Sequence, residues 1–487
     1  MAVAVGAVAT TGGADRDADL GWHLLLGADL LNGRSLTEAG AGWTTLPADQ
    51  TWRSMQWLAE VVLAQAEITF GDLGPTMFRS LTTAGALLSL LLAVGLHHPL
   101  SSPRPLLRWG PLLPFSCGVW VLIGFSQERP QQVSLLLLPA AGWLCARLLG
   151  RDWLPSLSGH RYLTLLVTVA TIGVVWVNCH QAVLVGAGAV SISALAHRGA
   201  WRRRLAVVAV AAAATCASPS GPTIWLAPGR LATAAGTLAE WQPVPLWAVP
   251  AWGSVLLTLG FVSVWVLGGR RPTAPESVLL TTLGVLAALA GRNLATTVLL
   301  AAPLLAAALK SAAAGPDREL TCPHRAFLNH GSVLGRAVLP LSAGLAVLLT
   351  AFAVLAQRPA QSNVTADMVQ RLVCDHPHSD RRPLVLATTY NEIGRSLFAA
   401  RRAPCRDAAS VQVPIDGRAD RYPTGTIESW LDLTQARSGW RRTLAASAAN
   451  AAVLPADAPL AGALLADGWL IVDHGSEHIA LVAPEDT

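Results

Sequence analysis

The sequence predicts a mainly α, polytopic membrane protein of about 10–11 transmembrane helices, closed by a C-terminal extracytoplasmic α/β domain. Composition is the first reason: of 487 residues 52% are hydrophobic and 13% charged, with a mean hydropathy of +0.45. Apolar runs recurring along residues 1–357 are the second. The third is a change of pattern after residue 358, where long runs stop and short apolar stretches alternate with amphipathic ones. These set two regions: a transmembrane domain over 1–357, with a first outer loop at 14–78, and a small domain over 358–487.

Spans are expected near 80–96, 111–126, 131–149, 162–177, 181–197, 205–218, 246–268, 277–290, 294–309 and 337–356. Met1–Gly13 is apolar but too short to cross alone, so it reads as a half-helix or as the end of a longer one. It lacks the basic start of a signal peptide. The net charge of +5 does not indicate nucleic acid, because the basic residues are scattered arginines between apolar runs, with Lys310 the only lysine. Arg104 and Arg108, Arg151 and Arg161, Arg202 to Arg204, and Arg270 and Arg271 fall in alternate loops, which should be cytoplasmic. Loop 14–78 sets Arg16, Arg34 and Arg53 against nine carboxylates and should face outward, as should the tail. The plasma membrane is the expected location.

In the tail, Leu384–Ala387, Ser410–Val413, Ala452–Leu454 and Trp469–Val472 read as buried strands. Cys374 and Cys405 lie outside the membrane on this reading, where a disulfide or two free thiols are equally compatible with the sequence. The seven cysteines show no metal-binding spacing. The Asn363 sequon is a short pattern of little weight.

With this orientation the unusual polar residues share one side. Glu128 and Arg129 follow the third run, Asn178 and His180 the fifth, Glu240 the seventh and Arg292 the ninth. Asp17, Asp19, His23 and Glu60 lie in the acidic loop. A polar chamber at the outer leaflet follows, since charges near a bilayer are costly without a task. Asp17 or Asp19 could instead cap the helix that starts at Leu20. In that helix Asp19 and His23 would be one turn apart, compatible with a hydrogen-bonded pair. The D-x-D pair is also compatible with a divalent cation. Arg129 and Arg292 are permanently charged and planar, the right chemistry for a phosphate, although Glu128 and Arg129 could simply pair with each other. His180 taken alone reads first as a satisfied interfacial histidine. Trp43, Trp52 and Trp57 read as an aromatic belt.

These residues resemble a family. Asp17-Ala-Asp19-Leu-Gly-Trp22-His23, followed by Trp57-Leu-Ala-Glu60, is similar to the first outer loop of bacterial GT-C-type membrane glycosyltransferases, close to D-P-D-x-W-W-H-L then W-L-x-E. The resemblance continues in order through Arg129-Pro-Gln131, Trp176-Val-Asn178-Cys-His180, Ser218-Pro-Ser-Gly221, Glu240-Trp241 and Arg292-Asn293. It ends at Ile415-Asp416-Gly417-Arg418-Ala-Asp420-Arg-Tyr422, similar to an I-D-G-R-x-D-x-Y element. Gly21 departs from it, standing where the first of two tryptophans is usual.

The resemblance implies a GT-C-like fold and transfer of a sugar from a polyprenyl-phosphate carrier to a lipid, glycan or protein acceptor at the outer membrane face. It makes Asp17 or Asp19 the base or acceptor-orienting group, and Arg129 and Arg292 the donor-phosphate ligands. His23, Glu60, Glu128, Asn178, His180 and Glu240 would hold sugar or acceptor. No cofactor is required on this reading, with a divalent cation at Asp17 and Asp19 the one alternative. Asp416, Arg418, Asp420 and Tyr422 read first as structural. Two other classes compete: a non-catalytic envelope scaffold, and a transporter, which should carry internal repeats that this sequence lacks.

Overall fold

A computed structural model of the chain describes residues 17–95, 111–197, 199–227, 229, 238, 241–267, 272–314, 364–375 and 383–484. Met1–Gly13, the run 337–356, Glu240 and Asn363 lie outside the described residues. In chain order the main helices are α1 (Leu20–Leu31), α2 (Trp57–Phe70), α3 (Leu73–Val94), α4 (Leu112–Phe125), α5 (Gln132–Leu148), α6 (Gly159–Val177), α7 (Val183–Ala194) and α8 (Trp201–Thr215). They continue as α9 (Trp252–Leu267), α10 (Ala274–Leu289), α11 (Asn293–Ala314), α12 (Val364–Asp375), α13 (Ile393–Arg401), α14 (Thr426–Thr434), α15 (Trp440–Ser447) and α16 (Pro459–Ala466). Four strands lie among the last five: β1 (Leu386–Ala387), β2 (Ala451–Pro455), β3 (Leu470–His474) and β4 (His478–Val482).

The chain divides into two compact units. One comprises Met1–Gly13, Thr76–Trp225 and Leu238–Ala356; the other comprises Ala14–Pro75, Leu226–Thr237 and Gln357–Thr487. The acidic first loop therefore folds in the same unit as the tail.

The first unit is helical. Among the described residues, four stretches, Leu73–Val94, Gly159–Val177, Val249–Val266 and Asn293–Ala312, are long and apolar enough to cross a bilayer, the mark of a multi-pass membrane protein. The shorter helices α4, α5, α7 and α10 are apolar too. Helix α11 is the hub and packs on α4, α5, α9 and α10. Small residues permit the closest approaches: a Cβ on Gly142 of α5 would lie 2.2 Å from the Leu300 carbonyl oxygen of α11. On α4, Gly118 makes room for Leu90 of α3 in the same way.

The second unit holds a four-stranded sheet of order β1-β2-β4-β3. Strands β1 and β2 are parallel, and the other pairs antiparallel. Three of the expected strand runs overlap β1, β2 and β3. The fourth, Ser410–Val413, is not a strand of this sheet: Gln412 and Val413 make isolated bridges to Val385 and Thr44. A 3-10 turn over Arg406–Ser410 precedes it and Pro414, which has no N–H to donate, follows, so the pairing with the Leu384–Leu386 side stops at Gln412. Strand β4 escaped the sequence reading; it pairs with β3 across a short turn. Cys374 and Cys405 form a disulfide.

The acidic loop packs into this unit through α1. Helix α1 lies against α2 and α13, and glycines set both contacts. A Cβ on Gly27 would stand 2.1 Å from the Glu60 carbonyl oxygen, and one on Gly21 would stand 2.1 Å from that of Gly394. The departure at Gly21 thus has a local cause, since a larger side chain would collide with the backbone of α13. Trp43, expected in an aromatic belt, is 2% exposed in the core of this unit, and Trp52 packs against the same core.

Candidate functional site

In the second unit, α1 begins at Asp19, yet Asp19 does not cap it through its side chain. Its Oδ1 instead accepts from Trp22 Nε1 at 3.1 Å, and Asp17 Oδ1 accepts from the Asp19 backbone N at 2.8 Å. Gly417 closes this corner: a Cβ there would stand 2.3 Å from Trp22 Nε1 and 2.7 Å from Asp19 Oδ1. Both carboxylates remain partly exposed. His23 does not take Asp19 as its side-chain partner. Its Nδ1 meets Glu60 Oε1 at 3.0 Å, with both side chains buried, because the close α1–α2 contact at Gly27 brings the Glu60 turn under His23.

Beneath this corner the Ile415–Tyr422 element is a buried knot. Arg418 Nε donates to Asp416 Oδ2 at 2.8 Å, its Nη2 bonds the same oxygen, and its backbone N donates to Asp416 Oδ1 at 3.0 Å. Tyr422 Oη accepts from the Asp416 backbone N at 2.9 Å. The guanidinium sits 5.0 Å from the Trp43 ring and 5.2 Å from Trp52. Burial pushes the Asp416 carboxyl up, but the Arg418 charge and hydrogen bonds outweigh it, so the group lies below its ordinary value. Burial, reinforced by the Asp416 charge, holds the Tyr422 phenol well above its own. Asp416, Arg418 and Tyr422 thus serve the fold.

In the first unit, hydrogen bonds join two of the turns that carry candidate residues, and a third such turn opens α11. Glu128 is buried, and its Oε1 accepts from Thr76 Oγ1 at 2.7 Å. Arg129 follows on the same turn, partly exposed, with its backbone N bonded to the Gln127 carbonyl. Ser134, one turn into α5, joins this connection to the next. Trp176 Nε1 donates to Ser134 Oγ at 2.7 Å, and the Ser134 hydroxyl is hydrogen-bonded to His180 Nδ1 at 2.8 Å. Ala182 N approaches the same nitrogen at 3.3 Å. His180 Nδ1 is therefore an acceptor, and in the neutral ring Nε2 carries the proton. Asn178 ends α6 and spends its amide nitrogen on the Val174 and Ala217 carbonyls, at 2.8 and 3.0 Å. Arg292 precedes α11 and stacks on Trp241 at 4.3 Å. Helix α11 packs on α5, with the Gly142–Leu300 contact at mid-helix.

Two groups result: Asp17, Asp19, His23 and Glu60 in one unit, and Glu128, Arg129, Asn178, His180 and Arg292 in the other. Among the described residues no three His, Cys, Asp or Glu side chains cluster as metal ligands. Sequence reasoning missed Ser134 and Gln132, and also Arg79, which is buried on α3. A signal for Arg79 existed, since Thr76, Arg79 and Thr83 recur at helical spacing within an otherwise apolar helix.

Comparison of the sequence with protein families and with curated proteins returns no match. Among solved structures, the apo-state crystal structure of ArnT from Cupriavidus metallidurans is similar, with a TM-score of 0.46 and 13% identity, covering 99% of this chain and 96% of that one. Likeness of that degree assigns neither activity nor substrate.

Proposed function

We propose that this protein is a membrane glycosyltransferase that moves a sugar from a polyprenyl-phosphate carrier to an acceptor at the outer face of the plasma membrane. The observation that carries the reading is how the chain holds Asp19. Its carboxylate is drawn off the helix end by Trp22 and set against Gly417, yet stays partly exposed. A carboxylate with only a capping task would bond the first-turn amides.

In the reaction, the acceptor hydroxyl attacks the anomeric carbon, and its proton passes to Asp19 or Asp17 as the bond from that carbon to the phosphate oxygen breaks. The polyprenyl phosphate leaves with the electron pair and gains negative charge. Arg129 and Arg292 would stabilise that charge, which is worth most in a partly dehydrated site. His180, presenting Nε2–H, and Asn178 would orient sugar or acceptor, with Glu128 and Glu240. His23 and Glu60, bonded to each other, would steady the acceptor side. The Cys374–Cys405 disulfide supports an oxidising, extracytoplasmic setting for the tail.

The test is transfer by purified protein from a panel of polyprenyl-phosphate sugars. We expect product from one donor and a loss of at least about 100-fold in Asp19→Asn with unchanged unfolding temperature. Unchanged transfer by both Asp19→Asn and Asp17→Asn would remove the base assignment, and no transfer from any donor would favour the scaffold alternative.

A further inference from the structure

Thr76, Arg79 and Thr83 form a buried polar stripe on α3, a helix long and apolar enough to cross the membrane. Both ends of the stripe engage the 126–132 turn. Thr76 bonds Glu128, and Thr83 bonds Ser126, with Gln132 Oε1 at 3.4 Å. Arg79 lies between them, one turn from Thr76, so the same turn faces it. It is 7% exposed, and among the described residues its side chain has neither a hydrogen bond nor an ion pair. Glu128 does not neutralise it: its second oxygen, Oε2, is buried without a hydrogen-bond partner.

Another buried arginine of the same unit shows what a structural cation looks like. Arg204, 1% exposed, donates to the carbonyls of Gly199, Leu148, Ala194 and Arg151. Arg79 has no such cage. A cation buried without a partner is expensive in a membrane protein and marks a place where a charge arrives from outside.

We propose that Arg79 is a further phosphate ligand of the donor site, contacting the phosphate oxygens of the carrier while Glu128 Oε2 accepts a hydroxyl beside that phosphate. A buried guanidinium on the helix face that also holds Thr76, the partner of Glu128, together with a buried carboxylate oxygen that has no hydrogen-bond partner, fits a phosphate that carries a sugar, since one group takes the charge and the other a hydroxyl. This assignment rests on the glycosyltransferase reading, and the test separates the two.

Purified full-length protein in detergent is titrated with farnesyl phosphate, farnesol and inorganic phosphate. Farnesyl phosphate should bind, Arg79→Met should weaken it at least tenfold, Arg79→Lys should recover part of the loss, and binding of farnesol should not change between variants. A second readout needs no variant. Phenylglyoxal labelling of Arg79 in the wild type, followed by mass spectrometry, should be blocked by farnesyl phosphate, with Arg204 labelling unaffected. If Arg79→Met binds farnesyl phosphate like the wild type, or the lipid leaves Arg79 labelling unchanged, the assignment falls while the glycosyltransferase reading stands. If inorganic phosphate binds as tightly as farnesyl phosphate and needs Arg79, the residue is an anion ligand and the carrier reading falls. Binding of neither probe overturns both.

Discussion

The second unit and the α3 face of the first handle buried charge in opposite ways. In the unit built from the acidic loop and the tail, buried polar groups find protein partners: Asp416 pairs with Arg418, Glu60 bonds His23, and Glu67 pairs with the half-exposed Arg402. On the α3 face of the helical unit, Arg79 and Glu128 are both buried and are not paired with each other. The lesson is that burial alone does not separate structural from functional charge. Whether the protein itself completes the charge does.

The sharpest way to break this comparison is to remove half of a completed pair. Arg418→Met or Asp416→Asn leaves its partner buried and uncompensated, and should cost about 3–5 kcal/mol in denaturant unfolding of the second unit. Replacing Cys374 and Cys405 by serine releases a loop spanning a sequence separation of 31 and should cost about 3–4 kcal/mol. Gly21→Ala drives a methyl into the Gly394 carbonyl and should cost about 1–3 kcal/mol. Arg79→Met should be the smallest, within about 1 kcal/mol of the wild type or slightly stabilising, because no protein partner is stranded. A large loss of thermal stability there would mean that Arg79 is as structural as Arg418.

The pH dependence of the second unit sharpens the same point. Asp416 lies below its ordinary value of about 3.8, so its contribution is complete above that value and is lost as pH falls through the depressed folded value. Tyr422 is raised, so its contribution is complete below its ordinary value of about 10 and is lost as pH climbs toward the folded one. Unfolding followed between these limits should be nearly flat with respect to this cluster. Tyr422→Phe should remove the alkaline arm and leave the acid arm.

Helices of the first unit were legible because apolar runs report burial in either lipid or protein: the expected spans from 80–96 to 294–309 fall on α3 to α11. Their starts were less so. The expected span 80–96 starts seven residues after the helix itself, which begins at Leu73. In the tail, β1 to β3 were visible as short apolar runs, whereas Ser410–Val413 has strand composition but its pairing is decided by Pro414 and by Thr44, far away in sequence. The partners of candidate residues were least legible. Asp19 and His23 have helical spacing, but a glycine contact 27 residues into the chain gives His23 to Glu60 instead. Side-chain partnership depends on such close approaches, which no local pattern encodes.

The link between Gly40 and Arg418, 378 positions apart, also imposes a schedule. At roughly 5–20 residues per second of synthesis, the acidic loop emerges roughly 20–75 s before Arg418 can reach Gly40. Through that interval α1 lacks the backbone of Gly394 and Gly417 against which Trp22 and Asp19 are set. The corner that carries the proposed base is therefore finished late in the life of the nascent chain, so premature termination within the tail would yield a membrane-inserted protein whose first loop never acquires its final shape.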